Sequence, residues 1–170
     1  VGIIERLSTK LNIPIAEFFD EPRDNDKFKQ MYFYILGHFK EGIPKTKLAK
    51  ILYLADFSYF YDFLEPMSGV RYIRREYGPV ADIFFETTED MYDKGEIDID
   101  IKEISQDAKM MSIRSTTLSP NNSLLSKIEK DRLDEICELW KDKRTAEIVN
   151  YTHSQNHGSL VWMANIFPTV

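Results

Sequence analysis

Asp56 is the residue of this 170-residue chain whose surroundings most suggest chemistry. It lies in the run Leu54-Ala55-Asp56-Phe57, among apolar residues of a segment with helical periodicity. An ionised carboxylate in such a place needs a partner. We predict an internal ion pair with Arg71, Arg74 or Arg75, the candidate partners that follow in the sequence. A catalytic Asp56 is the alternative, because buried acids also mark active sites.

Two histidines and one cysteine are the other residues with metal-binding or catalytic potential. His153 and His157 stand four residues apart, a spacing at which one helix face can offer two imidazoles to a metal ion. The glutamate of the H-E-x-x-H motif is absent, since residue 154 is Ser. We therefore expect capping or packing roles for these histidines. Cys137 falls on the apolar side of a predicted helix, where an unreactive buried thiol is expected.

The rest of the sequence offers no common catalytic motif. It has neither of the usual Gly-rich phosphate loops and no G-x-S-x-G nucleophile motif. Nine acids lie between Glu86 and Asp107, with only Lys94 and Lys102 among them. Such a run usually faces water; paired carboxylates for hydrolysis or metal binding, or an acidic docking surface, are the alternatives. We accordingly predict no enzymatic activity, no cofactor and no metal.

Composition narrows the class of protein further. The chain has 22 Lys+Arg against 28 Asp+Glu, a net charge of −6. This charge argues against a protein that binds DNA through its overall electrostatic field. No apolar run approaches the roughly 20 residues of a membrane-spanning helix, and no signal-peptide pattern is present. One cysteine cannot form an internal disulfide. These features predict a cytoplasmic protein without a membrane partner; the start at Val1 suggests a piece of a longer chain.

The hydrophobic pattern predicts the elements that must position these residues. Helices are predicted over 26–41, 44–64, 79–94, 123–142 and 145–152, the second with the strongest periodicity and burial on more than one side. Gly78 is predicted to take a positive φ and Pro79 to open the third helix. Alternation over 96–104 and a return around 111–113 predict a β-hairpin. The predicted fold is α+β and mainly α-helical, with a small antiparallel sheet between early and late helices.

Several of these residues together resemble a known domain. The run Lys47-Leu48-Ala49-Lys50-Ile51-Leu52-Tyr53-Leu54-Ala55-Asp56, followed by Gly69, Tyr72 and Tyr77-Gly78-Pro79-Val80, resembles the signature of the Panacea domain. That family is also called SocA-like or phage-associated GepA-like. Ser154, His157 and Trp162 resemble its C-terminal stretch, with looser spacing. We assign residues 28–168 to this domain, with five signature positions: Asp56, Gly78, Pro79, His157 and Trp162.

The resemblance implies a binding protein. Panacea domains are known as antitoxins of bacterial and phage toxin–antitoxin systems that neutralise varied toxins by direct contact, and at least one relative acts as a proteolytic adaptor. A cognate toxin is therefore the expected partner. One alternative is a prophage or stress transcription regulator whose large domain binds a ligand or partner without any toxin. Another is a hydrolase built on Asp56, His153 or His157.

The N-terminal residues resemble a second known element. Residues 3–7 and 11–19 are similar to the last two helices of a Cro/repressor-type helix-turn-helix, whose groove-reading pair would lie upstream of Val1. We therefore predict a helix-turn-helix remnant over 1–20 and a linker over 21–27. Operator DNA would be bound only through the missing part, in an autoregulating full-length protein; an ordinary pair of amphipathic helices is the alternative. Such regulators are usually dimeric, which leaves a homodimer as an open alternative to a monomer.

A region rich in Tyr and Arg is the predicted partner-facing surface. Aromatic residues make up 13% of the chain, and aromatic and Arg side chains dominate binding at protein interfaces. The candidates lie around the break after the second predicted core helix: Tyr59, Arg71, Tyr72, Arg74, Arg75 and Tyr77. For each aromatic residue, a place in the core is the alternative.

Overall fold

The structure, a computed structural model, describes residues 24–105 and 108–155 together with Lys10. Apart from Lys10, the predicted helix-turn-helix remnant lies outside these residues, as do His157 and Trp162. The described elements follow this order: α1 (Asn25–His38), β1 (Ile43–Pro44), α2 (Lys45–Phe63), β2 (Tyr72–Arg75), β3 (Gly78–Ala81), α3 (Phe84–Asp93), β4 (Ile97–Ser105), β5 (Ala108–Ser115), α4 (Lys127–Trp140) and α5 (Thr145–Gln155). The predicted class, mainly helical α+β, is confirmed.

Helix α2 forms the centre of the molecule. All residues from Lys47 to Asp56 are buried, and the helix contacts α1, α4, α5 and β3. The prediction that it is buried on more than one side is therefore confirmed for its first three turns. Its last turn carries Phe63 and the following Leu64, which are exposed. The helix ends there, with Leu64 in the left-handed region at φ 58°.

A three-stranded antiparallel sheet, in the order β1-β5-β4, covers part of this core. The predicted hairpin is confirmed as β4 and β5, with Ile99 opposite Ile113. Ile97 and Ile113 are buried, because successive side chains of a strand point to opposite faces and these two point toward the helices. The far end of the hairpin extends beyond the core, where Ile101 and Ile104 are exposed.

The prediction that Pro79 opens a helix is wrong. Gly78–Ala81 forms strand β3, paired with β2 through a turn at Glu76 and Tyr77, and α3 begins only at Phe84. The predicted positive φ of Gly78 is confirmed at 90°. Strand pairing prevails because all four residues of β3 are buried and the strand lies against α2, which a helix starting here would not allow.

Other helix limits also differ from the prediction, and α1 begins at Asn25, inside the predicted linker of residues 21–27. Helix α1 ends at His38 rather than residue 41, and Gly42 turns the chain at φ 100° into β1. Helix α4 begins at Lys127 rather than 123, because Ser126 and Glu129 form a capping box that fixes its start. Within the described part of the chain, no helix is long and apolar enough to cross a membrane.

Candidate partner-binding site

Two lysines of α2 are buried and bind main-chain carbonyl groups rather than carboxylates. The Nζ of Lys47 donates to the carbonyl oxygens of Lys141 at 3.0 Å and Lys143 at 2.7 Å. These carbonyls follow α4, where helix geometry leaves acceptors unsatisfied. Lys47 thereby joins the start of α2 to the end of α4, and the signature lysine at this position has a structural role.

Lys50 performs the same task for the β2–β3 hairpin. Its side chain is fully buried, and its Nζ donates to the carbonyl oxygen of Pro79 at 2.6 Å. Burial lowers the pKa of this ammonium group from 10.5 to about 8, because the charged form loses hydration. The contact fixes the main chain of β3 against α2.

Gly78 makes that close contact possible. A Cβ atom placed on Gly78 would lie 3.3 Å from the Nζ of Lys50 and 3.5 Å from Thr152 Oγ1 and His153 Nε2. Residues 50, 78, 152 and 153 therefore converge on one point between α2, β3 and α5. The G-P pair resembling the family signature is explained by this packing, since Gly78 leaves room and Pro79 supplies the acceptor.

Asp56 is buried as predicted, but its predicted partner is wrong. Its carboxylate accepts hydrogen bonds from the Ser68 N–H at 2.7 Å, the Ser68 hydroxyl at 2.5 Å and the Tyr72 hydroxyl at 2.6 Å. The side chains of Arg71, Arg74 and Arg75 are exposed, while Ser68 is buried in the core. Burial raises the pKa of Asp56 above its usual value, and the three donors oppose that rise. These hydrogen bonds fix the loop between α2 and β2 against Asp56.

An open groove of about 800 Å³ lies beside this packed region. It runs between the start of α2, the β2–β3 turn, the start of α3 and the hairpin β4–β5. Its apolar lining includes Val80, Phe84, Phe85, Met110 and Met111, with Tyr77 and Ile104 at its edge. Phe85 is 46% exposed, Tyr77 56% and Ile104 66%. Exposed apolar side chains gathered around one groove are typical of a binding site.

The groove is also positively charged, in contrast to the chain as a whole. Its lining contains the cations Lys45, Lys50, Arg75 and Lys109 but one acid, Glu76. The Nζ of Lys45 lies 5.4 Å and the Cζ of Arg75 6.0 Å from the ring centre of Phe85. Helix α2 has no acid in its first turn and directs its positive end toward the same place. These charges favour an anionic ligand group.

The structure brings two of the six predicted partner-binding residues to this groove. Arg75 and Tyr77 line it. Arg71, which precedes β2, and Arg74 on β2 are exposed but do not line the groove. Tyr72 is directed to Asp56, and Tyr59 packs on Phe63 with ring centres 4.6 Å apart. For these two tyrosines, contacts within the fold fit the alternative of a packing role.

Sequence reasoning missed Lys45, Phe85 and the β5 residues of the groove. Phe84 and Phe85 are adjacent in α3, so both rings cannot point to the buried face of the helix. This pattern could have indicated an exposed aromatic residue. Nothing local indicates that residues near 45, 75, 85 and 110 meet. Their proximity depends on the tertiary fold.

The described residues offer little to a catalytic or metal-binding interpretation. Among them, no group of three His, Cys, Asp or Glu side chains is placed to hold a metal ion. His157 lies outside the described part, so the alternative that His153 and His157 share a metal ion is not tested. Burial raises the pKa of Cys137 to about 12, which keeps its thiol protonated and unreactive at neutral pH. Most acids between Glu86 and Glu103 are exposed, in agreement with a solvated face.

Comparison with known proteins gives one match. The family model described as "Antitoxin SocA-like, Panacea domain" matches residues 48–157, which is more than half of the chain. The matched range contains Lys50, Asp56, Gly78 and Pro79, and the groove residues from Ala49 onward. No curated protein and no solved structure gives a significant match.

Proposed function

The chain belongs to the SocA-like antitoxin family with a Panacea domain, and from that premise we propose that it neutralises a cognate toxin by direct contact in the cytoplasm. Family membership associates the chain with toxin–antitoxin systems. Neutralisation by binding is the finer part of the proposal. It needs an accessible, preformed surface with strong anchoring side chains.

The groove is the observation that supports binding. A stable interface covers about 800 Å² on each partner, with aromatic and Arg residues supplying most of the affinity. The groove offers exposed Tyr77 and Phe85 beside Arg75 on a packed frame. That frame is held by Lys50 beneath β3 and by Asp56 beneath the preceding loop. A binding role requires only this surface, whereas a hydrolase would require an accessible catalytic group.

Co-expression with the product of the adjacent open reading frame tests the proposal. We expect that product to stop growth alone, and this chain both to restore growth and to co-purify with it. A harmless neighbour, or rescue without a complex, would contradict direct neutralisation. The transcription-regulator alternative would then be favoured.

An Asp56→Asn variant separates binding from catalysis in the same assay. The variant keeps the shape of the side chain and removes its capacity as a general acid or base. We expect the folded variant to rescue growth as the wild type does. Loss of rescue by a variant with unchanged circular dichroism and unchanged toxin binding would support an enzyme instead.

We also propose that DNA-binding autoregulation resides in a longer form with a complete helix-turn-helix. The proposal is supported by the resemblance of residues 3–7 and 11–19 to the end of that motif. Gel-shift measurements on the promoter of its own operon should show binding by the longer form and much weaker binding by this chain. Equal binding by both would contradict the proposal.

A further inference from the structure

We propose that the toxin docks in the groove by adding an extended, acidic segment to the free edge of β5. This inference rests on the proposed function and specifies the chemistry of its partner. Strand addition gives affinity through main-chain hydrogen bonds, and specificity through pockets that accept alternate side chains.

An unpaired stretch of β5 is the first observation. The strand runs from Ala108 to Ser115, but β1 pairs only with Ser112 and Ile113. After Pro44 the chain turns into α2, so no strand of the described part continues the β1 side along Lys109, Met110 and Met111. Alternate residues of an antiparallel strand direct N–H and C=O groups to such an edge. These three residues line the groove, where a partner strand has access.

The charge of the groove is the second observation. Lys45 and Arg75 both lie near the ring of Phe85, and neither forms an ion pair among the described residues. Lys109 adds a third cation on β5 itself, 3.7 Å from Glu103. The chain as a whole carries a net charge of −6, so this concentration of cations is local. Complementarity therefore selects a partner segment with carboxylates near Lys45 and Arg75.

The apolar lining supplies the third observation. Side chains of an extended segment alternate between its two faces. The face toward the groove would meet Phe85, Met110 and Tyr77, and carboxylates on that same face would lie beside Lys45 and Arg75, whose charged groups flank the ring of Phe85. The expected segment thus presents both apolar side chains and Asp or Glu on its groove-facing side.

Cations beside an exposed aromatic ring also suit single-stranded nucleic acid. Two features favour a protein segment. A free strand edge pairs with a peptide main chain, which nucleic acid lacks, and the acidic remainder of the chain repels a long phosphate backbone. Binding of nucleic acid is therefore an outcome of the test that would overturn the proposal.

Charge reversal with matched controls is the first test, and the probe is the purified product of the adjacent open reading frame. Lys45→Glu and Arg75→Glu should each weaken binding by roughly tenfold to a hundredfold in calorimetric titration. Lys40→Glu and Lys127→Glu change the net charge equally, but neither residue lines the groove, and both should bind within about threefold of wild type. Equal effects of both pairs would overturn the proposal.

Hydrogen exchange on the complex is the second test. Binding should slow exchange of amides within Lys109–Met111 by at least tenfold, without comparable slowing along the outer edge of β4. Protection on β4 alone, or none on either strand, would overturn strand addition at β5. If Arg75→Glu weakens binding of a fluorescein-labelled 20-nucleotide RNA but leaves the protein complex intact, the groove binds nucleic acid and the proposal is wrong.

The two proposals fail in different ways. A wild-type chain that forms no complex with the neighbouring product contradicts the proposed function and this inference together. A tight wild-type complex that tolerates Lys45→Glu and Arg75→Glu contradicts only this inference.

Discussion

Replacing Lys50 with methionine should change how the stability of the protein depends on pH. Lys50 is fully buried, and its Nζ donates to the carbonyl oxygen of Pro79. Its pKa falls from 10.5 in the unfolded chain to about 8 in the fold. The cost of burying the charge is therefore complete below pH 8 and disappears as the pH rises from 8 to 10.5. Methionine fills a similar volume and does not titrate.

The magnitude follows from these two pKa values. One pKa unit corresponds to about 1.4 kcal/mol, and integration between pH 7 and pH 10 gives about 2.5 kcal/mol. The free energy of unfolding of the wild type should thus rise by about 2.5 kcal/mol relative to Lys50→Met over this range. At pH 7 the free energies of unfolding of the two proteins should differ less than at pH 10. The variant loses a hydrogen bond worth about 1.5–3 kcal/mol, but it also avoids the cost of burying the charge.

Urea unfolding followed by circular dichroism, at several pH values between 7 and 10, measures this difference. Using the difference between the two proteins cancels the titration of the groups they share. A difference constant to within about 0.5 kcal/mol across the range would refute the inference that Lys50 is buried as a charged group. A difference that changes in the opposite direction would refute it as well.

Three further sets of substitutions test the packing of the fold. Asp56→Asn and Tyr72→Phe should each lower the free energy of unfolding by about 1–3 kcal/mol, and the double variant should lose less than the sum because both remove one shared hydrogen bond. Gly78→Ala should cost about 1 kcal/mol more than Gly95→Ala in thermal unfolding, since both glycines have positive φ but only the first approaches other side chains. Tyr53, whose pKa burial raises from 10.0 to about 12, should make the wild type about 1.4 kcal/mol less stable relative to Tyr53→Phe at pH 11 than at pH 8.

Each of these predictions can be contradicted by a specific result. Strict additivity of the Asp56 and Tyr72 substitutions would show that the two side chains act independently. Equal losses for the two glycine variants would mean that backbone strain alone decides the effect. If the difference in free energy of unfolding between the wild type and Tyr53→Phe stays constant from pH 8 to pH 11, the Tyr53 hydroxyl is in contact with water.

Local sequence patterns determined most of the helices and the β4–β5 hairpin. The spacing of Leu48, Ile51, Leu52 and Ala55 depends only on the period of an α-helix, so it predicted α2 almost to the residue. Alternation over Ile97, Ile99 and Ile101 predicted β4 in the same way. The positive φ of Gly78 could be foreseen because it depends on the missing Cβ.

Contacts between residues far apart in sequence decided the rest. The pairing of β3 with β2 and its burial against α2 overrode the helix expected after Pro79. Likewise, Asp56 accepts hydrogen bonds from Ser68 and Tyr72 rather than from an arginine, because burial of the loop after α2 brings hydroxyl and amide donors to its carboxylate. The residue type showed that a partner was needed, but only the packing selected it.

The signature residues and the groove show the same division. Sequence alone identified the motif containing Lys47, Lys50 and Gly78, and with it the family. Only the tertiary structure shows that both lysines bind carbonyl groups of distant segments. It also joins Lys45, Arg75 and Phe85 with the free edge of β5 in one groove. Periodicity reports which face of an element is buried, whereas a binding surface depends on which elements meet, and that is settled by packing across the whole chain.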